Sequence, residues 1–246
     1  MKNAIELHDL HKEYNKFQAV KSLSLTIDEG EIFGFLGHNG AGKTTTIHML
    51  TTLLRPSSGT ASIHGHDICA NPLEVRRHIG YVPENVSLYN TLTARKNLLF
   101  FAKLSGLNDA ASSVEETAEF LGITDLLDRR VGTFSKGMRQ RIGLAQAIVH
   151  RPRVLFLDEP SSGLDPQGIK MLRELIRRLR DTFGMTIFMN THLISEIAKT
   201  CTSIGVLSHG QLVYQGSVEA VTGKFKDHAA LEELFLSVTP DEREGR

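Results

Sequence analysis

Eight consecutive residues, Gly37-His38-Asn39-Gly40-Ala41-Gly42-Lys43-Thr44, constrain the fold of this chain more than any other stretch. They fit the pattern G-x-x-x-x-G-K-[ST], and a chance match in a chain of this length is on the order of one per cent. Ile32 to Leu36 precede them without one polar side chain, the pattern of a strand buried on both faces. A helical stretch follows. A glycine-rich turn in that setting lets backbone N–H groups approach phosphate oxygens closely, and the helix start adds positive potential. Lys43 is then aimed at the outer phosphates, and the Thr44 hydroxyl is a ligand for Mg²⁺.

Val154 to Leu157 and Thr186 to Met189 repeat the buried-strand pattern, so three central strands of a parallel sheet are expected. Ile5 and Leu7, then Leu23, Leu25 and Ile27, alternate with polar neighbours as antiparallel strands with one wet face do. Helical spacing puts Ile47, Leu50, Leu53 and Leu54 on one side of Thr44 to Leu54. It does the same for Met138, Ile142, Ala145 and Val149, and for Ile169, Leu172, Ile176 and Leu179 within Pro166 to Asp181. Ile204 to Leu207 and Leu212 to Tyr214 flank Ser208-His209-Gly210 as a hairpin. Leu231, Leu234 and Phe235 suggest a short amphipathic helix before a frayed tail. Strands alternating with helices make the chain α/β.

The second buried strand runs into Asp158 and Glu159. Ligands of open α/β sheets bind at the carboxyl ends of strands, so Asp158 is placed to hold Mg²⁺ and Glu159 to orient or deprotonate an attacking water. Composition excludes other classes. Lys plus Arg and Asp plus Glu are 28 each, which leaves no basic excess for nucleic acid. Two distant cysteines, Cys69 and Cys201, exclude a disulfide framework. The most apolar stretch, Asn97 to Leu107, is too short to span a membrane, and the first residues carry no signal-peptide core. To this point any phosphate-loop NTPase or kinase fits.

Three further segments narrow the choice. Phe134-Ser135-Lys136-Gly137-Met138 starts a helix ahead of the acidic strand, with Ser135 as its N-cap. Pro160-Ser161-Ser162-Gly163-Leu164-Asp165-Pro166 follows the carboxylates, and Asn190-Thr191-His192 ends the third buried strand. This ordered set resembles the nucleotide-binding subunit of ATP-binding cassette (ABC) transporters over residues 4 to about 236. The resemblance implies a RecA-like P-loop NTPase core with an antiparallel β subdomain, at residues 1–30 and 58–70, and an inserted α-helical subdomain. It implies one cassette over 1–236, with core and β subdomain in 1–89 and 151–225, the helical insertion in 90–150, and a short C-terminal helix and tail in 226–246.

Site roles follow by resemblance. Tyr14 matches the aromatic that stacks on adenine. Gly37, His38, Asn39, Gly40, Ala41, Gly42, Lys43, Thr44 and Thr45 match the Walker A loop. Asp158 and Glu159 match Walker B and the catalytic base, and His192 the switch histidine at the γ-phosphate. Ser135 and Gly137 match the signature that caps ATP bound to the opposite subunit, and Asp165 the D-loop that crosses the dimer interface. ATP and Mg²⁺ are the implied cofactors, with Thr44, Asp158 and Glu84 around the metal. The implied partners are a membrane-spanning transporter subunit and a second cassette, a homodimer being expected, with no nucleic acid. The implied place is the cytoplasmic face of the cell membrane, as a peripheral subunit.

Two departures stand out. The signature reads Phe-Ser-Lys-Gly-Met in place of the usual Leu-Ser-Gly-Gly-Gln. Glu84 replaces the usual Gln, and a carboxylate cannot donate a hydrogen bond. Both variants, with the ending Leu231 to Leu236, resemble export-type cassettes. The alternatives are a ribosome- or DNA-associated cassette and a small-molecule kinase. The first usually carries two cassettes or a long inserted coiled coil, and only 92 positions separate Lys43 from Ser135. A kinase has no need of Asp165, His192 and a Ser135-type signature together. For partner docking, Val86, Leu88 and Tyr89 are expected to form an exposed groove, and Leu98 to Phe101 to pack inside the helical lobe. His64-Gly65-His66 reads as a solvated turn, and Arg173, Arg177, Arg178 and Arg180 as a solvent-facing stripe.

Overall fold

The computed structural model describes residues 2–224, and Leu236 beyond them. The expected helix at Leu231 to Phe235 lies outside the described residues.

Six strands form the central sheet. They are β3 (Ile32–Leu36), β6 (Ile79–Val82), β7 (Val154–Asp158), β8 (Thr186–Thr191), β9 (Ser203–Ser208) and β10 (Gln211–Ser217), in the order β10-β9-β3-β8-β7-β6. All neighbours are parallel except the β9–β10 hairpin. The three expected central strands are there. The hairpin is there too, and its first strand also joins the sheet alongside β3.

Every residue of β3, β7 and β8 is buried, and the two faces of the sheet carry different side chains. Phe33, Phe35, Phe156 and Phe188 share one face, their rings 5.3 to 6.2 Å apart. They pack with apolar residues of a second, four-stranded antiparallel sheet: β1 (Asn3–Tyr14), β2 (Phe17–Asp28), β4 (Ser58–Ile63) and β5 (His66–Asp67), ordered β2-β1-β4-β5. Truncating one such ring would cost about 3–5 kcal/mol. The opposite face presents Ile32, Leu36, Leu155, Leu157, Ile187 and Met189 to the helices.

The helix after the glycine-rich turn, α1 (Lys43–Leu50), stops four residues earlier than its periodicity suggests. Thr52 adopts a left-handed backbone there, and Leu53 is exposed. A short α2 (Pro72–His78) leads into β6. Three helices, α3 (Ala94–Leu104), α4 (Ala110–Leu121) and α5 (Lys136–Ile148), separate β6 from β7. The next helix, α6 (Pro166–Phe183), has strong punctuation: the Asp165 carboxylate accepts from Gly168 N at 2.7 Å, proline opens the first turn and left-handed Gly184 closes the last. Two short helices, α7 (Ile194–Thr200) and α8 (Val218–Lys224), complete the elements of the described residues.

Four surface expectations are corrected. Leu88 is buried at 9% exposure, whereas Phe100 is 45% exposed: α3 buries Ala94, Asn97, Leu98 and Ala102, and Phe100 lies on its other flank. His64 is not solvated: its side chain is 8% exposed and its Nδ1 lies 3.2 Å from Glu29 Oε1. Burial holds the His64 imidazole below its ordinary pKa, against the pull of Glu29. The arginines of α6 are not merely solvated. Arg173 pairs with Glu196 on α7, Arg177 bonds Lys199 O, and Arg178 bonds Phe120 O while lying over that ring.

Candidate active site

Parallel register brings the carboxyl ends of three strands to one edge. Leu36 pairs with Thr191, and Asp158 with Asn190, so Gly37, Glu159 and His192 all leave the sheet on the same side. The turn after β3 enters α1 through Gly42, at φ +106°, and a Cβ there would lie 2.3 Å from Ala19 O. Only glycine meets both demands. From the first turn of α1 the Lys43 side chain folds back, buried to 6% exposure, and its Nζ donates to Gly37 O at 2.7 Å and His38 O at 3.1 Å. Burial lowers the Lys43 pKa, and the Glu159 and Asp158 carboxylates oppose that shift. The β9–β10 turn braces the loop. Gly210 N donates to Ala41 O at 2.9 Å, and the His209 and His38 rings are 4.9 Å apart. Asn39 and Gly40 are exposed at the loop tip, and Thr45 is partly buried beyond it.

Asp158, buried at the end of β7, is held from three directions. Thr44 Oγ1 donates to its Oδ1 at 3.1 Å, Asn190 Nδ2 to the same oxygen at 2.6 Å, and Tyr81 OH to Oδ2 at 3.4 Å. Burial, reinforced by Asp158, pushes the Tyr81 phenol above its ordinary pKa, so it stays a donor. Sequence pattern alone gives neither Asn190 nor Tyr81 a site role. The available signal was polarity: Asn190 is a fully buried amide within a strand of apolar neighbours.

Glu159 follows Asp158 at φ +47°, a conformation that non-glycine residues rarely hold without support. Its N–H donates to Asn190 Oδ1 at 2.7 Å. Its Oε2 lies 2.9 Å from Nδ1 of His192, which is half exposed. Glu84, on the loop after β6, accepts from Ser162 Oγ at 3.2 Å; among the described residues no hydrogen bond links it to Thr44 or Asp158.

The remaining candidates stand apart from the phosphate loop. Ser135 caps α5 by accepting from Met138 N at 3.3 Å. Ser135, Gly137 and Asp165 line a common cavity of about 230 Å³ between α5 and α6. Tyr14, at the end of β1, is exposed, with Lys12 Nζ 5.1 Å from its ring centre. Among the described residues no hydrogen bond joins Ser135, Gly137, Asp165 or Tyr14 to the loop.

One cluster therefore offers an ammonium to phosphates, a hydroxyl beside a carboxylate for a hard cation, and a carboxylate against an imidazole for proton transfer. A family model described as ABC transporter matches residues 20–162. The chain is 42% identical over 213 residues to the bacitracin transport ATP-binding protein of Bacillus licheniformis, covering 87% of this chain and 69% of that protein. It is 40% identical over 236 residues to the daunorubicin/doxorubicin resistance ATP-binding protein of Streptomyces peucetius, covering 95% and 70%. A solved structure of cbiO1 from Clostridium perfringens, part of the ABC transporter complex cbiONQ, superposes with a TM-score of 0.83 at 27% identity, over 91% of this chain and 92% of that one. Another, the ATP-binding subunit of an ABC transporter, gives 0.85 at 29% identity, over 96% and 100%.

The chain belongs to the ABC transporter family, as an ATP-binding subunit. It is an ATPase that works with a membrane-spanning subunit. No helix among the described residues is long and apolar enough to cross a membrane.

Proposed function

We propose that this subunit powers an exporter, and that the cluster at the strand ends is its hydrolytic site. The observation that carries the chemistry is the 2.9 Å contact between Glu159 Oε2 and His192 Nδ1, on the edge that also holds Lys43 and Asp158. Lys43 leaves its two loop carbonyls for the outer phosphates of ATP. Thr44 and Asp158, already 3.1 Å apart, are oxygen donors that would hold Mg²⁺, and Glu84, on the loop after β6, would be a third. When bound, that ion neutralises phosphate charge. Glu159 takes a proton from the attacking water, the water oxygen bonds to the γ-phosphorus, and the bond to the bridging oxygen breaks to leave ADP and phosphate. His192 keeps the carboxylate oriented.

The separation of Ser135, Gly137 and Asp165 from the loop supports two copies facing head to tail, each signature completing the other's site. Tyr14 offers an exposed ring to adenine. The grouping of α3 to α5 between β6 and β7 supports a division into a core with β subdomain, residues 1–89 and 151–225, and a helical insertion, residues 90–150. The export direction rests on the two relatives named above, one in bacitracin transport and one in daunorubicin/doxorubicin resistance. Balanced charge, with the α6 arginines engaged within the chain, supports a peripheral place against a membrane partner rather than a nucleic acid. The test is Mg²⁺-dependent ATPase activity of the complex with its membrane subunit, together with ATP-driven transport in inside-out vesicles. Accumulation of drug inside such vesicles supports export; transport only in right-side-out vesicles refutes it.

A further inference from the structure

Glu159 sits in a strained backbone conformation, and strain of that kind persists only where the surroundings hold it. Asn190 fixes its N–H. The next peptide but one along the chain, Pro160–Ser161, is fixed from α5. Gln140, buried to 8% exposure, donates from Nε2 to Pro160 O at 3.3 Å. One helical turn earlier on the same face, the Lys136 side chain lies across Gly163: a Cβ on that glycine would sit 2.6 Å from Lys136 Nζ and 3.1 Å from its Cδ. Gly163 has φ +68° and no side chain, so the lysine stem can close over it. Lys136 and Gln140 thus bracket the Pro160–Gly163 turn, which Ser162 ties to Glu84 from another side.

We propose that Gln140, seconded by Lys136, is a positioning residue for Glu159. It links the signature helix to the carboxylate within one subunit, so that a shift of α5 is transmitted to the angle of Glu159. The inference rests on reading Glu159 as the base. It assigns Lys136 to the turn and not to phosphate.

The experiment uses the complex of this chain with its membrane subunit. Gln140→Met keeps the side-chain length and removes the donor. It should lower kcat by roughly 10- to 100-fold, as displacement of a reacting group does, while KM for ATP stays within about twofold. In a Glu159→Gln background the same change should leave ATP-dependent dimerisation intact. Lys136→Ala, an exposed change that leaves the fold alone, should lower kcat to a smaller extent at unchanged KM. A raised KM or lost dimerisation in either variant would show that these side chains act on nucleotide and would overturn the proposal. If Glu159→Gln hydrolyses ATP at the parent rate, the reading of Glu159 as base fails. If Glu159→Gln is inactive and Gln140→Met keeps full kcat, only the link fails.

Discussion

Nδ1 of His192 and Oε2 of Glu159 are 2.9 Å apart, joining the residues that follow two neighbouring parallel strands. The imidazole is half exposed and the carboxylate largely covered, so the ring meets the acid from the solvent side. Glu159→Gln keeps the shape and loses proton acceptance. Hydrolysis should fall by roughly 10² or more, ATP should still bind, and a nucleotide-bound dimer should accumulate on size-exclusion chromatography. A monomer at full turnover would remove Glu159 from the mechanism. His192→Ala should also slow turnover, with the nucleotide still bound.

Lys43 is a buried ammonium satisfied by two carbonyls of its own loop. Replacing it with methionine fills the same space and removes a charge whose burial is costly. The nucleotide-free protein should therefore melt at an equal or higher temperature. ATP binding should weaken by about 10- to 100-fold, from the loss of charge-assisted hydrogen bonds. The thermal shift induced by ATP should shrink accordingly. An undiminished shift in Lys43→Met would place the phosphates elsewhere.

The features most legible in the sequence were contiguous ones. The strand-loop-helix unit around Gly37 to Thr44 and the apolar run into Asp158 are local patterns, and each folds as its residues suggest. Non-local pairing was hidden. Strand β6 is four residues long and contains Gly80, so only its place beside β7 identifies it. The hold of Asn190 and Tyr81 on Asp158 depends on which strands are neighbours, which spacing does not encode. The α1 periodicity ran on through Leu53 because it says nothing about where Thr52 turns left-handed. The arginines of α6 looked idle because their partners lie on α7 and α4.

Two histidines give stability a direction with pH. His150 bonds through Nε2 to Ile79 O at 3.0 Å, and its Nδ1 is buried without a partner. Burial holds its pKa below the ordinary value, partly offset by the Ile79 bond, and His64 is shifted the same way. The unfolded chain takes up these protons near pH 6.5, before the folded one does. Stability is thus full above about pH 6.5 and falls as pH drops toward the folded-state values. Urea melts at about pH 7.5 and about pH 5.5 should differ, and His150→Gln should narrow the gap. An unchanged gap would assign the acid sensitivity to other groups.

The surface around Tyr89 and Phe100 is where this subunit, with no spanning helix among its described residues, is predicted to engage its membrane partner. Both rings are about half exposed, 5.4 Å apart edge to face, with Phe101 packed against each. The patch is rigid at its base. Buried Asn97 accepts from Tyr89 N at 2.8 Å and donates to Tyr89 O at 3.1 Å, fixing the loop to α3. The same loop begins at Glu84, whose carboxylate contacts Ser162 just beyond Glu159, and Val86 packs against Gly143 of α5. A short apolar helix of the partner seated on these rings would therefore press on a loop tied to the hydrolytic site. Leu88 is the wrong residue for a test: it is buried, and Leu88→Asp would leave a carboxylate in the core and destabilise the chain. Tyr89→Asp with Phe100→Asp changes only exposed rings. That double variant should bind ATP and melt like the parent while losing most co-purification with its membrane subunit; recovery of the partner at parental levels would place the docking surface on another face.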